Sequence, residues 1–209
     1  MSESPPLIDL VVLTADNNAQ FAIRGILSRD ASLAIRQVTP DYFVHPQKDP
    51  GIIANSHEFL RPFVRSHGHA LVVMDREGSG RGESSREELE QEIEKQLRRT
   101  GWHDRAAAVV IDPELDIWVW SESPHVQSEL GWGNRQPNLR SWMRQQGLLD
   151  EGKSKPARPK EALEAALYAV RIPRSSAVYR ALAEKVSLSN CIDPAFLKLK
   201  KIVQTWFSK

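Results

Sequence analysis

Residues 70–82 read Ala70-Leu71-Val72-Val73-Met74-Asp75-Arg76-Glu77-Gly78-Ser79-Gly80-Arg81-Gly82. A short, unbroken apolar run is what a strand buried on both faces requires, and parallel strands are buried in this way. The run stops at Asp75, Arg76 and Glu77 and gives way to alternating glycines, which free the backbone for a tight turn. Upstream, residues 7–13 form a second β-branched run of strand length, and residues 106–111 form another downstream. Residues 33–44 read as extended, with Pro40 pointing to an edge or a bend. Between these runs, Ala19, Ala22, Ile23, Ile26 and Leu27 have helical spacing. So do Ile53, His57, Leu60 and Val64, and then Leu89, Ile93 and Leu97 within a charged segment at 86–99. The order β-α-β-α-β-α-β predicts an open, mostly parallel sheet with helices on its faces.

The C-terminal half reads as helical. Asp112-Pro113, Ser123-Pro124 and Asp193-Pro194 each have a capping residue followed by proline at the first helical position, and Pro137 and Pro159 read the same way. Residues 150–160 have no periodicity and read as a linker or mobile loop. The expected organisation is an α/β core over 1–130 and a basic helical region over 131–209 within the same unit.

Composition narrows the function classes. The chain has 209 residues, 41% of them hydrophobic and 26% charged, which excludes collagen-like and wholly disordered classes. No apolar run approaches the roughly 18 residues of a membrane span. The opening MSESPP does not resemble a secretory signal, so a cytoplasmic protein is expected. The single cysteine, Cys191, excludes an internal disulfide framework and reads as a small packed residue. The net charge of +1 hides an asymmetry. Residues 1–130 hold 13 Lys/Arg against 21 Asp/Glu, and residues 131–209 hold 15 against 6. Such a split points either to nucleic-acid contact or to attraction between the halves or toward a partner.

Ligands of open α/β sheets bind beyond the carboxyl ends of the strands. Alternation along the extended segment puts Asp75 and Glu77 on the same side, and two carboxylates so placed suit a hard cation such as Mg²⁺. A plain solvent-facing strand end is the alternative. Asp16, after the first strand, reads either as a helix N-cap or as a further carboxylate of the same crevice. Glu114 and Asp116 read as acids of a first helical turn beginning at Pro113, where the helix dipole alone favours them. His67 and His69 precede a strand and read equally as turn residues or metal ligands. No phosphate-loop, dinucleotide, zinc-protease or hydrolase-elbow motif occurs. The tryptophans read as core or interface residues.

This order of elements, with an acidic pair ending the third strand, resembles the Toprim fold of topoisomerases, bacterial primases, old-type nucleases and a ribosomal-RNA maturation nuclease. Asp116-Ile117-Trp118, Pro159-Lys160 and the stretch from Leu182 to Phe196 are similar to motifs of Toprim-related proteins found beside phage-defence ATPases, including a small component of methylation-associated defence systems. The likeness covers most of the chain through short motifs. It implies Mg²⁺- or Mn²⁺-dependent phosphodiester chemistry, with Asp75, Glu77 and Asp116, joined by Asp16, as catalytic and metal-holding acids. Nucleic acid would be gripped by Arg171, Arg174, Lys198, Lys200 and Lys201. Thr14-Ala15 departs from the Glu-Gly that usually ends the first Toprim strand. That departure keeps a second expectation open, a non-catalytic subunit that binds an ATPase or nucleic acid. A small-molecule phosphatase fits the acids, but no motif supports it.

Overall fold

The computed structural model describes residues 8–188 and 191–209. Leu7, the expected start of the first strand, and the MSESPP segment lie outside them. The first half runs β1 (Ile8–Thr14), α1 (Asn17–Leu27), α2 (Asp30–Leu33), β2 (Pro40–Val44), α3 (Lys48–Leu60), β3 (His67–Asp75), α4 (Arg86–Leu97) and β4 (Ala106–Ile111). The second half runs α5 (Asp116–Val119), α6 (Pro124–Glu129), α7 (Leu139–Gln145), α8 (Pro159–Val170), α9 (Ser176–Lys185) and α10 (Pro194–Trp206). All four strands are parallel, in the order β2-β1-β3-β4. The protein is an α/β fold with an open parallel sheet, flanking helices and a helical C-terminal part, consistent with a Toprim-like arrangement.

Side-chain alternation divides the sheet between two cores. Val11, Leu13, Ala70, Val72, Met74, Ala108 and Val110 face α3 and α4. Leu10, Val12, Leu71, Val73, Val109 and Ile111 face α1 and the helices of the C-terminal half. The basic region therefore shares a core with the sheet. Helices α1 and α9 cross in near contact: a Cβ at Gly25 would stand 2.7 Å from the Ala183 Cβ. Tryptophan indoles fasten the other helices. Trp120 Nε1 donates to the Pro159 carbonyl at 2.9 Å, and Trp132 Nε1 donates to that of Ala166 at 3.2 Å.

Several expectations need correction. The extended reading of 33–44 shrinks to β2, because Asp30–Leu33 close into a helical turn. Asp112-Pro113 is a cis peptide, not a cap and helix start, and α5 begins only at Asp116. Pro137 follows a second cis bond, and α7 starts beyond it, capped by Asn138. Pro124, Pro159 and Pro194 do open helices. His67 and His69 belong to β3, not to a turn before it. His67 Nε2 lies 3.2 Å from Asp41, and the His69 ring stacks on Trp206. Within 150–160, Pro156 is buried and Arg140 Nη1 donates to the Ser154 carbonyl at 2.7 Å, so packing holds a segment that lacks periodicity. Among the described residues no helix is long and apolar enough to cross a membrane.

The outer edge of β4 is closed by side chains. The backbone N–H groups of Val110 and Ala108 donate to Glu90 and Glu94 of α4, at 3.0 and 3.1 Å. Lys198 of α10 reaches the same two carboxylates at 3.1 and 2.8 Å. Glu90 is buried and also pairs with Arg86. Glu90→Ala strands the buried Val110 N–H and takes one partner each from Arg86 and Lys198, and is expected to cost about 2–3 kcal/mol in denaturant unfolding.

Candidate functional site

The path from β1 to β2 leaves on one side of β1, and β3 lies on its other side, so the strand order reverses between β1 and β3. A crevice opens beyond the carboxyl ends at such a switch point. Here it is a cleft of about 910 Å³, walled on its far side by the start of α8.

Asp75, the last residue of β3, forms the floor. Its Oδ1 accepts from the Leu115 N–H at 2.9 Å, and its own N–H donates to Asp49 Oδ1 at 2.8 Å. Burial pushes the Asp75 carboxyl well above the usual carboxylate range, and the charges of Asp49, Asp16 and Asp116 push the same way. Asp49 is raised by burial too, with Asp16 adding to the effect. Gly78 lies close beside it: a Cβ there would press against an Asp49 carboxylate oxygen, so a larger residue would displace that side chain. Asp16 is the N-cap of α1, accepting from the Ala19 N–H at 2.8 Å, and it also lines the cleft. Both readings of that residue hold together.

Glu77 reaches the cleft by a different route from the one expected. The strand ends at Asp75, and Glu77 opens a 3₁₀ turn over Glu77–Ser79, so strand alternation does not pair the two acids. Arg76 drives this turn. Its Nε donates to Asp112 at 2.7 Å and its Nη1 to the Gly82 carbonyl at 3.3 Å, which ties the turn to the end of β4.

Asp116 is buried and fully engaged. Arg174 Nη2 donates to both of its oxygens, at 3.2 and 3.0 Å, and the Tyr179 hydroxyl donates to Oδ1 at 2.7 Å. Arg174 Nε also donates to the Tyr179 oxygen at 2.7 Å. Burial works against the Arg174 charge, but Asp116 and Tyr179 outweigh it and raise its pKa. The Tyr179 hydroxyl is pushed up by burial and by Asp116. Two residues on, Trp118 Nε1 donates at 2.9 Å to Asp193, which caps α10. The Asp116-Ile117-Trp118 stretch thus fastens the C-terminal helices to the sheet.

A scan of protein-family models, a search of curated proteins and a search of solved structures each return no match. The site is therefore argued from its own residues. Arg174 faces the cleft from the C-terminal half, but Arg171, Lys198, Lys200 and Lys201 do not line it. Lys198 is taken up by the β4 edge, while Arg171 and Lys201 are exposed elsewhere. Of the five cations, Arg174 alone lines this cleft.

Four acids of the cleft stood outside the expected catalytic set: Asp49, Glu114, and Glu161 and Glu164 of α8. Asp49 follows β2 at the same end of the sheet, where the crevice rule points. It was hidden because the helical spacing first shows at Ile53, whereas α3 begins at Lys48. Glu114 accepts from the Lys160 N–H at 3.2 Å, at the start of α8, and burial and Asp116 raise its pKa. Among the described residues no three His, Cys, Asp or Glu side chains already converge as a metal cage. The donors are nevertheless all oxygens. Mg²⁺ is commonly held by one or two carboxylates, with waters and substrate completing its shell, so Asp75, Asp49 and Asp16 fit such an ion. Asp116 also lines the cleft, and its carboxylate already pairs with Arg174 and Tyr179.

An acid whose pKa is raised by folding binds more protons when folded, so its charge costs stability as pH rises above the unfolded value. Asp75→Asn keeps the Leu115 hydrogen bond and removes that cost. Its melting temperature is expected to exceed the parent's at pH 7–8, with the gap closing toward pH 4. Arg174→Met leaves the buried Asp116 without a cation and is expected to lose about 3–5 kcal/mol in denaturant unfolding.

Proposed function

We propose that the protein is a Toprim-like, Mg²⁺- or Mn²⁺-dependent nuclease that hydrolyses phosphodiester bonds in DNA or RNA as part of phage defence, beside a partner such as an ATPase. The observation that carries this reading is the placement of Asp75 at the sheet's switch point, with Asp16 and Asp49 close enough to raise its pKa. Carboxylates crowded this way in an open cleft favour a cation. The defence setting and the partner rest on the resemblance alone.

Asp75, Asp49 and Asp16 would hold the ion, with Glu77 at the rim. When bound, such an ion polarises a phosphate and lowers the pKa of a coordinated water. The chain's own residues prepare the site. Burial and the neighbouring acids favour the protonated form of Asp75 and a bound cation would favour the charged one, so cation affinity is expected to rise with pH. Arg174 and Tyr179 keep the buried charge of Asp116 satisfied. The Gly78 turn lets the backbone pass close against Asp49.

The test incubates purified protein with single- and double-stranded DNA and RNA in Mg²⁺ or Mn²⁺. Cleavage is expected, and Asp75→Asn/Glu77→Gln should reduce it by more than the roughly 10- to 100-fold that losing a supporting residue costs. Intact substrates throughout overturn the reading.

One observation favours a second reading, a non-catalytic subunit. Asp116, an acid that the resemblance makes catalytic, is spent on Arg174 and Tyr179, and buried Thr14 stands where the usual glutamate would be. Full phage protection by the Asp75→Asn/Glu77→Gln variant would select this reading.

A further inference from the structure

The cleft lining includes five cationic side chains: Lys48, Arg76, Arg158, Lys160 and Arg174. Three are already paired, Arg76 with Asp112, Arg158 with Glu161 and Arg174 with Asp116. Among the described residues, neither Lys48 nor Lys160 is engaged in an ion pair, and both residues are exposed. Their positions follow from a chain of hydrogen bonds across the cleft. Lys48 adjoins Asp49, whose carboxylate accepts from the Asp75 N–H at 2.8 Å. The Asp75 carboxylate accepts from the Leu115 N–H at 2.9 Å. Leu115 adjoins Glu114, whose carboxylate accepts from the Lys160 N–H at 3.2 Å. Lys48 follows β2 and Lys160 bonds through its backbone to Glu114, which follows β4; these are the two edge strands of the sheet, and β3 with Asp75 lies between them.

We infer that Lys48 and Lys160 form a two-point clamp for the phosphate backbone of a nucleic-acid strand laid across Asp75. The inference rests on the phosphodiester reading of the same cleft. An acidic floor repels a polyanion. A strand approaches it only if cations on both sides offset that repulsion, and these two are the ones not already committed. Lysine suits the task, being a compact charge on a flexible stem that adds affinity without reading bases. The clamp replaces the grip expected of α10, whose lysines do not reach the cleft.

The test is fluorescence anisotropy of a labelled DNA 20-mer, single-stranded and as a duplex, titrated with salt with Ca²⁺ as the only divalent cation. Each phosphate contact contributes about 0.7 to the log–log salt slope for a single strand and about 0.9 for a duplex. Lys48→Gln and Lys160→Gln should each flatten the slope by about that amount, and the double variant by about twice as much. Lys48→Arg/Lys160→Arg should restore it. Unchanged melting temperatures would confirm that the variants fold. A wild-type slope in the double variant, no binding by the wild type, or a loss confined to Lys200→Gln/Lys201→Gln would overturn the clamp. Binding with the expected slopes but no cleavage in Mg²⁺ keeps the clamp and removes the nuclease reading. Cleavage with unchanged slopes does the reverse.

Discussion

A parallel sheet must be covered on both faces, and the first half of this chain carries enough helix for little more than one. Helices α3 and α4 close the face that presents Val72 and Val110. On the other face α1 works with the C-terminal half, whose apolar side chains complete the core over Leu71, Val109 and Ile111. The basic half is thus required by the sheet, and its position is set by packing before any function is considered. Because α8 and the segment before α9 dock at the carboxyl end of the strands, Arg158, Lys160 and Arg174 come to the cleft as a by-product of burial.

That docking gives the cleft its character. Most of the acids follow strand ends, three of the five cations come from the C-terminal half, and buried polar pairs join the two. Asp116 with Arg174 and Tyr179 is the tightest of these joints. Taking either partner away would leave a charge without solvent, so the joint fixes the geometry more firmly than a surface pair could. The near contact at Gly25 acts in the same direction, since any larger residue would lift α9 and with it the base of Tyr179.

Much of the fold was legible because buried strands leave an unambiguous pattern. The apolar runs at β1, β3 and β4 have no other economical explanation, and the proline-led helix starts at 124, 159 and 194 follow from proline's missing N–H. The site was legible only in outline. Asp75 and Asp16 could be found because they follow strands directly. Glu77 could be found, but not its route, since Arg76 bends the chain by bonding to a carboxylate 36 residues away. Asp112-Pro113 carried the signature of a helix start, yet its peptide is cis and the helix begins only at Asp116. The fate of Arg174 and Lys198 was equally invisible. A cation's partner is chosen in space, and one-dimensional charge counts register only that it exists.

The closed edge of β4 bears on how this chain behaves among copies of itself. Strand edges invite other strands, and proteins commonly guard them with a further element or a bulge. Here the guard is two carboxylates and a lysine, so an incoming strand would have to displace an ion-paired cluster before making its first backbone hydrogen bond. Each side chain of that guard comes from outside β4, and Lys198 comes from the last helix. A nascent or partly unfolded chain whose final helix has not yet docked presents an edge guarded by α4 alone. Self-association through this edge is therefore most strongly suppressed once α10 has docked.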